Sequence, residues 1–414
     1  MPEKTAVISA EETLTYEELN RRANRIAHAL IEKGVGKGDM VGVMLPRKTH
    51  LLSALFGILK TGAAYLPISL DDPQERIRHI LTDSKAKMLV DEDAVRLLLT
   101  AENTENPHTD VCGQDTCYCI YTSGSTGEPK GACISHGSLL NRIMWMQEKY
   151  PLDADGVILQ KTPYTFDVSV WELFWWSLFG GQLALSAPDE HFLPPKILEE
   201  TDKNKVTHLH FVPSVFDLFL TYLEKNPQKC KKFASVKQVF LSGEALSASL
   251  VNRFYALFDY REVKLANLYG PTECTIDVTY YDCAPNETDP VPIGKPIANT
   301  QIRVVDEKMQ MVPVGVTGEL CIAGANVGQG YLHNPVLTAQ KFVKDPFGDG
   351  KLYKTGDLAF WRSDGNIVFC GRQDGQIKLH GQRIEIGEIE SVIASVQDVQ
   401  SATVVVQTHA HRQI

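Results

Sequence analysis

The segment Tyr121–Gly131 reads YTSGSTGEPKG and follows an apolar run, Cys117 to Tyr121, with the length of a buried strand. A helical pattern begins near His136. Glycines, hydroxyls and a lysine crowded into one loop supply amide N–H groups, hydroxyl donors and a cation, the set a polyphosphate requires. The spacing is not that of a Walker A loop, because Pro129 precedes Lys130 and Gly131 follows it. A phosphate loop at the end of a buried strand calls for an α/β protein, and the flanking sequence can be tested for that.

Upstream, helix and strand patterns alternate. Thr15 with Glu18 forms a capping box, and Leu19, Ala23, Ile26 and Leu30 recur at helical spacing until Gly34. Met40 to Leu45 and Ala63 to Ile68 read as strands around a helix from Thr49 to Lys60; Pro73 opens another helix, and Lys87 to Val90 is the next strand. Downstream the same grammar gives strands at Val157 to Gln160, Gln182 to Ser186, Thr207 to Val212, Val236 to Leu241 and Val263 to Leu268. This alternation predicts two helix-covered, mostly parallel sheets with ligands at the carboxyl ends of the strands. From about Asn286 to Cys370 the helices vanish, and short strands with Gly, Pro and Asp turns predict an antiparallel, β-barrel-like part. The expected division is a large core at 1–373, comprising α/β halves at 1–155 and 156–285 and the β-rich part at 286–373, followed by a hinge and an incomplete small α+β subdomain at 374–414.

Composition narrows the functional classes. Of 414 residues, 43% are hydrophobic and 22% charged, which suits a packed globular protein rather than a disordered one. The balance of 41 Lys and Arg against 51 Asp and Glu gives a net charge of −10, so nucleic acid is not an expected partner. Lys229, Lys231 and Lys232, the densest basic group, read as a solvated helix end. No run approaches the ~18 apolar residues of a membrane span, and the N-terminus lacks a secretory signal, so the expectation is a cytoplasmic enzyme without a membrane partner. Nine cysteines, an odd number, fit a reducing compartment better than a disulfide framework. Cys112, Cys117 and Cys119 match no zinc spacing, and His208 with His210 share a strand face without a third ligand nearby.

The loop also resembles the phosphate-binding loop of the adenylate-forming superfamily. LTYEEL at 14–19, LKTGAAYLPI at 59–68, FDVS at 166–169, NLYGPTE at 267–273, GELCIAG at 318–324, YKTGDL at 353–358 and GRQDGQIKLHGQRIEIGEIE at 371–390 are similar, in the same order, to motifs of adenylation domains in nonribosomal peptide synthetases. The resemblance implies ATP-dependent activation of a carboxylate to an acyl-adenylate, with magnesium, then transfer to the phosphopantetheine thiol of a peptidyl carrier protein working beside other synthetase domains. A small activator protein is a further partner it brings into view. By the same resemblance Thr122, Ser123, Gly124, Ser125, Thr126, Gly127 and Lys130 would hold the phosphates, and Glu273 the magnesium. Gly243, Asn267 and Tyr269 would frame the adenine, Gly270 and Thr272 are further cofactor-binding candidates, and Asp357 with Arg372 would fix the ribose; Thr126, Lys130 and Glu273 are the candidate catalytic residues. Catalysis would be positioning plus charge neutralisation, since the substrate carboxylate is already a nucleophile.

Asp167 in FDVS stands where amino-acid-activating members of the superfamily carry an aspartate for the substrate ammonium. The alternative is that it caps the helix bearing Trp171. Matched by position, Asp167, Val168, Trp171, His210, Phe240, Ser242, Leu268, Ile276 and Asp277 would line the side-chain pocket, a lining that resembles the one associated with serine. Polar His210, Ser242 and Asp277 suit a small hydroxyl, and bulky Trp171, Phe240 and Leu268 leave little volume. A free-standing acyl-CoA or aryl-acid ligase shares the loop but not the aspartate, and a non-catalytic substrate-binding or docking fragment is the other class.

VGQGYL at 327–332, Ser69 and His380 depart from the family's usual residues without touching the expected ATP site. Asp374 matches the hinge on which the family's small domain swings. Since the family's small domain continues to a lysine beyond the position of Ile414, the resemblance implies weak turnover by this chain alone.

Overall fold

A computed structural model describes residues 1–413 except 125–127, 189, 191, 374–376, 380–381, 385, 395–398, 400–401, 406–407 and 410–411. Asp374 and His380 therefore lie outside the described residues. The first long helix, Tyr16–Glu32, begins as its sequence dictates: the Thr15 side chain accepts from Glu18 N–H, and the Glu18 carboxylate accepts from Thr15 N–H. It buries Leu19, Ala23, Ile26 and Leu30 on one face.

Two mixed sheets form the body. In the first, strands Met88–Val90, Met40–Val43, Ala64–Pro67 and Thr116–Thr122 are neighbours in parallel, and Lys130–Ser135 and Gly330–Tyr331 extend that sheet antiparallel. In the second, strands Lys264–Tyr269, Gln238–Leu241, His208–Phe211, Val157–Gln160, Gln182–Leu185 and Thr5–Ile8 run parallel in that order, with antiparallel strands at both edges. The α/β expectation holds, with strands exchanged across residue 155: Thr5–Ile8 pairs with Gln182–Leu185.

The helix Ser169–Phe179 lies between the sheets, which explains its sequence, SVWELFWWSLF, apolar on every side. Phe174 packs on Tyr65 of the first sheet at 6.0 Å, and Trp175 on His208 of the second at 5.2 Å. Trp171, Trp175 and Trp176 are fully buried. Each indole takes about 200 Å² from water, on the order of 5 kcal/mol before entropy.

The β-rich part is an antiparallel sheet in which Lys351–Trp361 is the long central strand. Gly318–Gly324 flanks one edge; Phe342–Lys344 and Ile367–Arg372 share the other, end to end. Its described pairings leave Thr300–Val305 as an outer strand and close no ring, so the antiparallel expectation holds while the barrel-like one becomes an open sheet. Among the described residues, no helix is long and apolar enough to cross a membrane.

Candidate active site

The glycine-rich loop joins two antiparallel strands, Thr116–Thr122 and Lys130–Ser135, with Thr122 opposite Lys130. The sequence reading names only a later helix starting near His136; the structure adds the strand Lys130–Ser135 between the loop and the helix His136–Lys149. The second strand is hidden because GACIS carries small residues; a Cβ at Gly131 would come 2.7 Å from Cys119 Sγ across the pair. Ser125, Thr126 and Gly127 lie outside the described residues. Ser123 and Gly124 follow Thr122 off the strand end. The Thr122 hydroxyl is buried and has no hydrogen-bond partner among the described residues.

Lys130 is buried, and its Nζ lies 4.0 Å from Glu273 Oε1 and 5.0 Å from the centre of the Tyr331 ring. Glu273 is completely buried on the short helix Thr272–Cys274 and accepts from Tyr331 Oη at 2.7 Å. Burial and the Glu273 charge push the Tyr331 phenol far above its ordinary value. In the sequence VGQGYL stands out only as a departure, and nothing marks Tyr331. Its strand, Gly330–Tyr331, pairs with Ala132 and Cys133, so only the sheet reveals it. Among the described residues no three His, Cys, Asp or Glu side chains gather as a metal site. Glu273 can supply one hard oxygen to magnesium, whose octahedron would be completed by phosphate and water.

Asn267 and Tyr269 end the strand Lys264–Tyr269, and Asn267 donates to the Pro292 carbonyl at 2.8 Å. Gly243, with φ of +88°, turns the chain after the neighbouring strand Gln238–Leu241. Asp357 is buried on Lys351–Trp361, where it accepts from the Tyr269 phenol and from Arg372 Nη1 at 2.5 Å. Asp357 and Arg372 face each other across paired strands. Each carboxylate oxygen retains a second lone pair beyond these bonds, so two ribose hydroxyls fit the donor set.

The expected side-chain pocket gathers beside the central helix. The Phe240 ring lies 5.4 Å from Trp171, the His210 ring 6.3 Å from Trp171, and His210 Nε2 is 2.9 Å from Ser242 Oγ. Leu268 and Ile276 belong to the same apolar cluster, with Val168 packed against it. Burial, with the Lys161 charge, holds the His210 imidazole neutral, well below its usual range. Burial pushes the Lys161 ammonium down to about 8, the Glu172 charge opposing the shift. Asp167 is half-buried, and the N-cap of the Trp171 helix is Val168, so Asp167 is not that helix's cap. Burial raises the phenols of Tyr65 and Tyr118, and the Asp167 charge adds to the shift of both.

Asp277 is met by a partner the sequence did not disclose. Arg142 Nη2 donates to Asp277 Oδ2 at 2.6 Å with both side chains buried, and the guanidinium stacks 4.8 Å from the centre of the Trp145 ring. Arg142 falls on the buried face of the helix His136–Lys149, where helical spacing predicts an apolar residue; that misfit is the one signal the sequence offers.

The AMP-binding enzyme family matches residues 1–332. Zwittermicin A synthase ZmaJ of Bacillus cereus is 47% identical over 424 residues, covering 98% of this chain and 80% of its own length. Vanchrobactin synthetase VabF of Vibrio anguillarum is 39% identical over 429 residues, covering 98% of this chain; there the chain spans only 15% of the relative's length. Among solved structures, NpsA-ThdA, an artificially fused adenylation–PCP di-domain NRPS from Klebsiella oxytoca, superposes with a TM-score of 0.89 at 26% identity over 100% of this chain and 84% of that one. The glycine-rich hairpin, the carboxylate shared by Tyr269 and Arg372, and these likenesses lead to one assignment: the chain belongs to the AMP-binding enzyme family, where it stands with the adenylation domains of nonribosomal peptide synthetases.

Proposed function

We propose that this chain uses ATP to convert the carboxylate of an amino acid, L-serine, into an aminoacyl-adenylate for loading onto the phosphopantetheine of a peptidyl carrier protein. The observation that carries the reading is the buried Lys130–Glu273 pair beside the unpartnered Thr122 hydroxyl. A lysine desolvated in this way gains most when a phosphate arrives, and a buried carboxylate gains most when a cation does. Thr122, Ser123, Gly124 and Lys130 would line the phosphates, with Ser125, Thr126 and Gly127 completing the loop. Magnesium held at Glu273 would neutralise charge on the leaving pyrophosphate. Tyr269, Gly243 and Asn267 would frame the base, with Gly270 and Thr272 as further nucleotide-binding residues, and Asp357 with Arg372 would orient the ribose. Proximity and charge neutralisation account for the chemistry, since no group must be deprotonated to attack.

Serine is supported by the His210–Ser242 hydrogen bond at 2.9 Å, which presents a polar wall among Trp171, Phe240 and Leu268. A hydroxyl can exchange into that bond, whereas a methyl group leaves it sealed against the substrate. The test is amino-acid-dependent exchange of pyrophosphate into ATP across a panel of amino acids. Serine is expected to give the highest rate, and Asp167→Asn to lower kcat/KM for it by about 100-fold, the worth of a charge-assisted contact. Faster exchange with alanine, threonine or an aromatic residue sinks the substrate assignment; no exchange with any amino acid sinks the activity.

A further inference from the structure

Two carboxylates in one amino-acid pocket pose an electrostatic problem. Asp167 answers to the α-ammonium in the reading above, and an amino acid with a neutral side chain brings no second cation for Asp277. An open Asp277 carboxylate would favour a diamino acid, whose second ammonium would sit there. His210 cannot correct the balance, because it is held neutral by burial. Lys161 and Glu172 oppose each other and cancel.

Resting on the amino-acid reading above, we propose that Arg142 is a specificity-determining residue: its guanidinium neutralises Asp277, so that the pocket accepts amino acids with neutral hydrogen-bonding side chains and rejects basic ones. Arg142 is completely buried, and its Nη2 lies 2.6 Å from Asp277 Oδ2. Arg142 Nε and Nη1 are buried with no hydrogen-bond partner among the described residues. A buried guanidinium is a poor device for stability, since a well-packed apolar side chain often serves as well there or better. Its role is therefore read from its partner, Asp277. The paired carboxylate stays ionised and turned toward a fixed partner, so it serves as an oriented acceptor for a hydroxyl rather than an open site for a cation.

Arg142 is a positioning residue, since it acts through Asp277. Its position also ties the two halves of the site: the helix that carries it, His136–Lys149, starts where the strand Lys130–Ser135 ends. Lys130 and Arg142 thus stand on one continuous strand–helix unit, one beside Glu273 and the other bonded to Asp277.

The experiment reads binding, so it does not depend on turnover. Dissociation constants of seryl- and 2,3-diaminopropionyl-sulfamoyladenosine, which differ by an ammonium in place of a hydroxyl, are measured by calorimetry on the full chain. The native chain is expected to prefer the seryl compound. In Arg142→Gln the preference should move toward the diaminopropionyl compound by tenfold or more, and Arg142→Lys should restore it. Asp277→Asn, which leaves the guanidinium unopposed, should move the ratio the other way, so the inference is tested even if Arg142→Gln does not fold. The double variant Arg142→Gln/Asp277→Asn should lose the shift. Folded variants whose ratio stays within twofold of the native chain overturn the inference, as does a native chain that already prefers the diaminopropionyl compound. If another neutral amino acid proves the better substrate, serine is wrong but the ratio taken against that acid still decides the role of Arg142. Binding of neither compound by the native chain overturns the amino-acid reading, and this inference with it.

Discussion

Gly270 illustrates how a single atom bears on the proposed substrate pocket. A Cβ there would lie 2.3 Å from the Ile276 carbonyl oxygen and 2.6 Å from Asp277 Cα, both backbone atoms that no rotamer change can move. The segment it touches is already strained, because Thr275 and Ile276 have φ of +61° and +72°, a region that β-branched residues rarely occupy. Two contacts hold it in place: Thr275 donates to the Asn326 carbonyl at 2.8 Å, and Arg142 grips Asp277. Gly270→Ala is therefore expected to push Ile276 and Asp277 out of register while leaving Lys130 and Asp357 in place. Overpacking of this kind costs about 1–3 kcal/mol, equivalent to roughly a 5- to 150-fold rise in the amino acid's KM. Because Gly270 is also among the proposed nucleotide-binding residues, ATP affinity, measured separately by calorimetry, should fall as well, by less than KM rises; an unchanged KM beside a lost ATP affinity would mean that residues 276 and 277 do not line the amino-acid pocket.

At the scale of an element, the strand His208–Phe211 was legible from alternation, including the shared face of its two histidines. The reason for that face was not legible, because it depends on the helix Ser169–Phe179 coming to lie against it. His208 packs at 5.2 Å against Trp175 and shares a 2.8 Å hydrogen bond with Thr207 Oγ1. Burial, with the Lys237 charge nearby, depresses its imidazole to about 3. An unfolded chain binds a proton at this histidine below about pH 6.5, whereas the folded chain does not until about pH 3. The unfolded state thus binds more protons across that window, and stability falls as pH drops through it. The expected slope from His208 alone is about 1.4 kcal/mol per pH unit between roughly pH 5.5 and 4.5. Urea titrations of the native chain and His208→Asn over that range should differ in slope by this amount, the variant being the flatter. Parallel curves would mean that the imidazole protonates in the folded protein.

For the whole molecule, what the sequence withheld is long-range pairing. Helix Thr49–Lys60 and strand Val157–Gln160 have the limits that local pattern predicts, because capping and periodicity act within a few residues. The strand Gly330–Tyr331 on the glycine-rich hairpin and the Arg142–Asp277 pair, 135 residues apart, follow only from the packing of whole sheets. The same applies to the joint between the second α/β sheet and the β-rich part. There Gly294, φ +86°, exchanges hydrogen bonds with Ile367, whose N–H donates to the Gly294 carbonyl at 2.8 Å. A Cβ on Gly294 would lie 1.8 Å from the Tyr280 carbonyl oxygen, so the joint closes only around a glycine. Gly315, φ +83°, has nothing within 4 Å of the same added atom, and so isolates the backbone cost. Gly315→Ala should lose about 1–2 kcal/mol by urea denaturation, from left-handed strain alone. Gly294→Ala adds a collision worth about 1–3 kcal/mol and should lose roughly 2–5 in all. Because the Tyr269–Asp357 hydrogen bond spans the two sheets that meet at this joint, Gly294→Ala should also weaken ATP binding by tenfold or more, while Gly315→Ala leaves it intact. Equal losses in the two variants, in stability and in nucleotide affinity, would show that the β-rich sheet docks without the help of this crossing and that the Asp357 carboxylate is held by its own strand alone.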